Sequence, residues 1–240
     1  MGSPISRLGR KVAIVVHSGG MDSSMCLALA AEEFLPENVL SLSFFYGQKH
    51  ALELESAEKI CRDWKIDHRV HDLSPILGQF PNALVGNAAP TCSEGDRSPH
   101  TVVIGRNGLM LHVAGIYAHY LGARCLYLGS NADDGNYPDC AEGYLNLIEQ
   151  TIRIDISQPD FQLRRPLAQM DKLATMHLAF RMGILEYLLT ETVTCYEGIK
   201  NEGCGECLAC KLKNRGILKF LEEEPSFTPP YIVSKEALLV

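Results

Sequence analysis

No stretch of this 240-residue chain approaches the ~20 consecutive apolar residues of a membrane-crossing helix, so no bilayer span is expected. Basic residues are also scarce, with 22 Lys and Arg against 29 Asp and Glu and a formal charge of -7. That balance argues against broad backbone-led nucleic-acid binding, which needs a positive surface, and leaves room for a local basic pocket. The stretch from Met1 to Lys11 carries some positive charge but runs straight into an apolar strand without a plausible processing site. A secretion signal is therefore not expected. No repeat or low-complexity block stands out. The nine cysteines are odd in number, five scattered and four crowded near the C-terminus. A disulfide framework fits that pattern poorly, whereas a reduced, cytoplasmic compartment and a metal site fit it well.

What is present is a regular alternation. Lys11 to Val16 reads as a buried strand, followed by a helix from about Asp22 to Phe34 and a strand from Val39 to Phe45. Gln48 to Trp64 has helical spacing of Leu52, Leu54, Ala57 and Ile60, with Glu53, Glu55 and Glu58 left to solvent. Asp67 to Leu73 follows as a strand, and Ser74 to Thr101 is irregular, broken by four prolines. A helix over Asn107 to Leu121, a strand over Arg124 to Leu128 and a polar loop from Gly129 to Asp139 come next. Beyond them are expected a helix through Ile148, an edge strand at Thr151 to Ile156 and a helix over Gln169 to Met182. This order predicts an α/β fold, a Rossmann-like open parallel sheet with helices on both faces, to which the four crowded cysteines add a C-terminal helical zinc-binding segment. The expected division is residues 1–185 for the nucleotide-binding unit and 186–240 for the zinc-binding segment and tail.

The sequence from His17 to Ser24, His-Ser-Gly-Gly-Met-Asp-Ser-Ser, joins the first strand to the first helix. Consecutive glycines let backbone N–H groups converge, and a helix start offers unpaired N–H groups and a favourable dipole. No lysine follows the glycines, so this is not the long Walker-type loop. Ser18, Gly19 and Gly20 are placed to grip phosphate through the backbone, with Ser23 and Ser24 adding hydroxyls. Asp22 either caps the helix or holds Mg²⁺ beside pyrophosphate, the second being favoured because a carboxylate next to polyphosphate needs a cation. His17 either touches phosphate or packs. Arg106 and Lys172 are the candidate cations for neutralising charge at the reacting phosphate. With Asp22 they form the expected catalytic set.

Cys195, Cys204, Cys207 and Cys210 follow the spacing Cys-x8-Cys-x2-Cys-x2-Cys. Four thiolates make the soft tetrahedral shell that Zn²⁺ favours, closed and therefore structural, with an iron–sulfur cluster as the metal alternative. Lys211 and Lys213 offset part of the charge. Of the remaining cysteines, Cys26 and Cys125 read as core, and Cys140 sits beside the polar loop.

The short loop resembles the pyrophosphate loop of enzymes that cleave ATP between its alpha and beta phosphates. Taken with Phe45-Tyr46-Gly47-Gln48-Lys49-His50, Gly105-Arg106-Asn107, Tyr137-Pro138-Asp139-Cys140, Met170-Asp171-Lys172, Thr194-Cys195-Tyr196 and the cysteine cluster, the chain resembles the 7-cyano-7-deazaguanine synthase family along nearly its whole length. The resemblance implies a homodimeric zinc enzyme that uses ATP and ammonia to convert 7-carboxy-7-deazaguanine to the nitrile through adenylated acid and amide. It also implies that Tyr46, Gln48, Lys49, His50, Gly105, Arg106, Asn107, Tyr137 and Asp139 belong to the active site. Asp133 or Asp139 is expected to bind the amino and ring N–H edge of the substrate, and Tyr137 to stack on its ring.

Three segments depart from the family pattern. Gly129 to Asn136 is shorter than usual, Val103-Ile104 precede the Gly-Arg-Asn turn in place of Val-Pro, and Asn87 to His100 is atypical. They leave open a relative that stops at the amide or joins the activated acid to a partner amine. A nucleotide-binding zinc scaffold without turnover is the competing class.

Overall fold

In the computed structural model, residues 8–48, 52–80, 102–134 and 137–233 are described. Three strands come first, β1 (Ala13–Val16), β2 (Val39–Phe45) and β3 (Asp67–Asp72), with α1 (Met21–Phe34) and α2 (Leu52–Trp64) between them. After the short α3 (Ser74–Leu77) come α4 (Arg106–Leu121), β4 (Cys125–Leu128), α5 (Glu142–Asp155) and β5 (Gln162–Arg164). The chain then forms α6 (Lys172–Arg181), α7 (Leu185–Glu191) and α8 (Leu208–Glu223). All strand pairs are parallel, in the order β3-β2-β1-β4-β5.

The near-continuous apolar runs of β1, β2 and β4 are what a sheet covered on both faces requires. Successive side chains of β1 go to opposite layers. Ile14 packs with Leu111 of α4 and Leu145 and Ile152 of α5. Ala13 and Val15 pack with Met25 of α1, Ile60 of α2, Met176 of α6, Leu188 of α7 and Phe220 of α8. The C-terminal helices thus share a core layer with the first helix in a Rossmann-like α/β fold. Among the described residues, no helix is long and apolar enough to cross a membrane.

Three expected elements change. Thr151 to Ile156 is not an edge strand but the end of α5, and the edge strand is Gln162–Arg164. Ile152, Ile154 and Ile156 alternate as a strand would, yet Leu145, Ile152 and Ile156 are buried while Ile154 is 76% exposed. The buried set follows the helical period, and the α5 helix continues past Ile148. Gln48 lies outside α2; its side chain accepts from the Tyr46 N–H (2.8 Å) and donates to the Phe44 carbonyl (3.2 Å), closing the end of β2. The region expected to be irregular opens with α3, and the rest of it, residues 81–101, lies outside the described residues.

The chain leaves β1 toward β2 and β3, then returns to the opposite side of β1 to form β4. Parallel sheets open a crevice where the strand order reverses in this way, beyond the strands' carboxyl ends. The His17–Gly20 loop leaves β1 at that point.

Candidate active site

The crevice is a cleft of about 300 Å³. Ser18, Gly20, Asp22 and Ser23 form its floor. No side chain caps the start of α1, so its first-turn N–H groups point toward the floor. The Ser23 hydroxyl meets the Ser18 N–H (3.1 Å) and Ser18 Oγ (3.0 Å), holding the loop in shape. Gly19 has φ +85°, and a Cβ there would stand 2.1 Å from the Glu53 carbonyl oxygen. The loop therefore needs glycine both for its conformation and for the close approach of α2. Gly19 and Ser24 do not line the cleft. Ser24 is fully buried, donating to the Gly20 carbonyl (2.8 Å) and meeting His17 Nε2 at 3.0 Å, so the structure turns this expected phosphate donor inward.

His17 also packs rather than reaching out. Its Nδ1 is 2.9 Å from Ser41 Oγ, which is 3.0 Å from His68 Nδ1. Burial, and then the neighbouring His68, push its pKa down to about 3. His17, Cys61 and His68 form a ligand-like group, but Ser41 bridges the two rings in a hydrogen-bond network.

Asp22 and Lys172 meet at the cleft. The Lys172 ammonium pairs with Asp22 Oδ2, which also accepts from Asn131 Nδ2 (2.9 Å). Asp22 Oδ1 is buried and accepts no hydrogen bond among the described residues. An unused carboxylate oxygen beside a phosphate-type loop fits a hard divalent cation such as Mg²⁺. Lys172 starts α6, its N–H donating to Asp133 Oδ2 (3.2 Å), so one carboxylate fixes where the lysine emerges. Arg106 starts α4 and lies over the Tyr46 ring, 5.7 Å from its centroid. Burial works against the guanidinium charge, but Tyr46 and Asp139 beside it raise its pKa.

Asn107 and Tyr137 line the cleft, and the Tyr137 hydroxyl is 3.1 Å from that of Tyr196. Asp139 does not line it; its buried carboxylate accepts from the Asn107 N–H (3.1 Å) at the start of α4. Gly105 caps that helix and also stands outside the lining. Lys49 and His50 lie outside the described residues. Cys140 faces the cleft, as does one residue expected to face solvent, Glu53. The available sign was its place one turn beyond the Tyr46–His50 segment; its acidic neighbours Glu55 and Glu58 are exposed.

Cys195, Cys204, Cys207 and Cys210 converge, with all four sulfur atoms within 4.8 Å of one another. Backbone N–H groups of Glu197 and Cys207 reach Cys195 Sγ and Cys204 Sγ, each at 3.3 Å. Gly203 has φ +74°, and a Cβ there would fall 2.3 Å from Cys210 Sγ. A closed four-sulfur group that excludes side-chain bulk fits a structural metal ion. Lys213 is buried next to it, and burial lowers its pKa against the opposing pull of the Cys210, Cys195 and Cys207 sulfurs. The segment also walls the cleft, through Cys195, Tyr196, Leu208 and Leu212.

Known proteins resemble this chain in fold and in sequence. A solved NMN synthetase from Francisella tularensis superposes with a TM-score of 0.51 at 14% identity, covering 98% of this chain and 83% of that one, which is a likeness of fold. The 7-cyano-7-deazaguanine synthase of Clostridium botulinum (strain 657 / Type Ba4) is 38% identical over 223 residues, 90% of this chain and 99% of that protein. Its counterpart from Clostridium novyi (strain NT) is 38% identical over 222 residues, 90% of this chain and 97% of that protein. The match to the family described as Queuosine biosynthesis protein QueC runs over residues 12–221, and the chain belongs to that family.

Proposed function

We propose that this chain is a 7-cyano-7-deazaguanine synthase, using two ATP to turn 7-carboxy-7-deazaguanine and ammonia into the nitrile. The observation that carries this reading is 38% identity to a synthase of that name across 90% of the chain. Its cleft also joins a phosphate-type loop, two cations and an aromatic wall. The acid is first adenylated and ammonia replaces AMP; the amide oxygen is then adenylated, and loss of AMP leaves the nitrile.

Ser18, Gly20, Ser23 and the start of α1 would hold the polyphosphate through N–H and hydroxyl donors. Asp22 would hold Mg²⁺ through Oδ1, and that ion would neutralise charge on departing pyrophosphate. Lys172 and Arg106 bring positive charge to the phosphate undergoing substitution, where preorganised charge costs no rearrangement during reaction. Tyr46, Tyr137 and Tyr196 offer flat faces and hydroxyls to a purine-like ring, with Gln48, Asn107 and Asp133 as its polar neighbours. Lys49 and His50 belong to the proposed site through the family motif alone.

Residues 186–240 would serve as a zinc-clipped wall for the nucleotide-binding part, residues 1–185. Cys195, Cys204, Cys207 and Cys210 would hold Zn²⁺, which fixes that wall. A homodimer belongs to the same proposal. Exposed Ile116 and Tyr120 of α4 and Leu147 and Ile154 of α5 support a covering by a second copy.

The test gives purified protein ATP, Mg²⁺, ammonium and 7-carboxy-7-deazaguanine and resolves products by mass. Nitrile with two AMP per molecule is expected. AMP without amide or nitrile rejects the reaction, and amide that accumulates unchanged identifies an enzyme that stops halfway.

A further inference from the structure

The reaction proposed above removes protons from one nitrogen in both of its halves. When ammonia attacks the adenylated acid, a C–N bond forms and the C–O bond to AMP breaks, its electron pair leaving on the phosphate. The new nitrogen is cationic and must lose a proton to become the amide. In the second half the O-adenylated amide sheds its two remaining N–H protons. The nitrogen's electrons close the triple bond as the C–O bond to the second AMP breaks. A base near this nitrogen would serve every one of these transfers.

We propose that the Glu53 carboxylate is that base, taking each proton from the substrate nitrogen and passing it to water; this rests on the nitrile-forming reading. Glu53 lies in the first turn of α2 and lines the cleft together with Ser18, Arg106 and Lys172. Its position is fixed by backbone, because the Glu53 carbonyl oxygen occupies the space that a side chain on Gly19 would need. The turn carrying the carboxylate is thus pressed against the phosphate loop itself.

Among the described residues, the other acids near the cleft each have a polar partner of their own. Asp22 is held by Lys172 and Asn131, Asp133 accepts from the Lys172 N–H, and Asp139 accepts from the Asn107 N–H. Among the described residues, the ionisable groups coupled to Glu53 are Arg106 from α4, which lowers its pKa, and Tyr46 from the end of β2, whose own pKa Glu53 raises. Burial raises the carboxyl to about 7, with Arg106 pulling it back down. A group with that balance gains and loses protons at neutral pH, as a recycling base must.

The test separates activation from amination. ATP–pyrophosphate exchange driven by 7-carboxy-7-deazaguanine reports adenylation without any amine. Glu53→Gln is expected to retain exchange while amide formation from ammonium falls about 100-fold or more. Hydroxylamine, a strong nucleophile largely unprotonated at neutral pH, should restore acyl transfer in the variant. At constant free-ammonia concentration the wild-type rate should rise with pH through about 7, an inflection that Glu53→Asp keeps and Glu53→Gln loses. Amide formed by Glu53→Gln at the wild-type rate overturns the assignment, and so does loss of exchange, which would put Glu53 in adenylation or folding. A wild-type protein that shows neither exchange nor nitrile rejects the underlying reaction instead.

Discussion

His17 stands directly behind the phosphate loop, fully buried, with a serine hydroxyl at each ring nitrogen. Its folded pKa of about 3 lies below the ordinary 6.5, so the unfolded chain takes up a proton that the folded protein refuses. Its contribution is whole above pH 6.5 and is lost as pH falls toward 3. At pH 5 the loss amounts to about 2 kcal/mol. Urea unfolding at pH 7 and pH 5 should show that drop, and His17→Gln should show less of it; equal pH dependence in the two proteins would contradict the buried neutral ring. Glu53 has the opposite sign. Its raised pKa means that the folded protein binds the extra proton, so its share of stability falls as pH rises from the ordinary carboxylate value through about 7. Glu53→Gln is expected to be more stable than wild type at pH 8, with the gap closing toward pH 5.

Gly216 decides how two helices meet. A Cβ on this residue of α8 would come 2.9 Å from Lys172 Cβ and 3.2 Å from Met176 Cε on α6. Alanine favours a helix interior over glycine, yet here the added methyl has no room. Gly216→Ala should cost about 1–3 kcal/mol, as overpacked cores do, and should shift Lys172 away from Asp22. A lower denaturation midpoint together with slower pyrophosphate exchange is the expected result; a more stable, fully active variant would show that α8 moves aside freely. Element type was legible in the sequence where a continuous apolar run or a helical spacing marked it, as in β1, β2 and α2. It misled at Thr151 to Ile156, where isoleucines two apart imitate a strand. The deciding fact is the contact of Ile152 with Gly115 of α4, 3.0 Å from where a Cβ would stand there. No local pattern contains that contact.

Across the whole molecule, the cysteine segment couples stability to the cleft. Cys195 both supplies a sulfur and lines the cleft, Leu208 and Ala209 line it between Cys207 and Cys210, and Tyr196 beside Cys195 reaches Tyr137. Removing metal with a chelator, or replacing Cys204 with Ser, should therefore lower zinc content, lower Tm and weaken substrate binding together. Metal loss with unchanged Tm and unchanged affinity would separate the cluster from the wall.

The sequence by itself determined the glycine loop from His17 to Ser24, the four-sulfur set and the alternation of strands and helices. Each of these is local: neighbouring glycines, short cysteine spacings and apolar period act over a few residues. The motif cations Arg106 and Lys172 could also be named from the chain. Only the tertiary structure decided which candidates face the cleft. It turned Ser24 and Asp139 away, paired Lys172 with Asp22, and pressed Glu53 against Gly19 from a helix more than thirty residues later. Those outcomes depend on how α2, α4, α6 and α8 pack around the carboxyl ends of the sheet, and packing distances between separate elements are not written in any one stretch of chain.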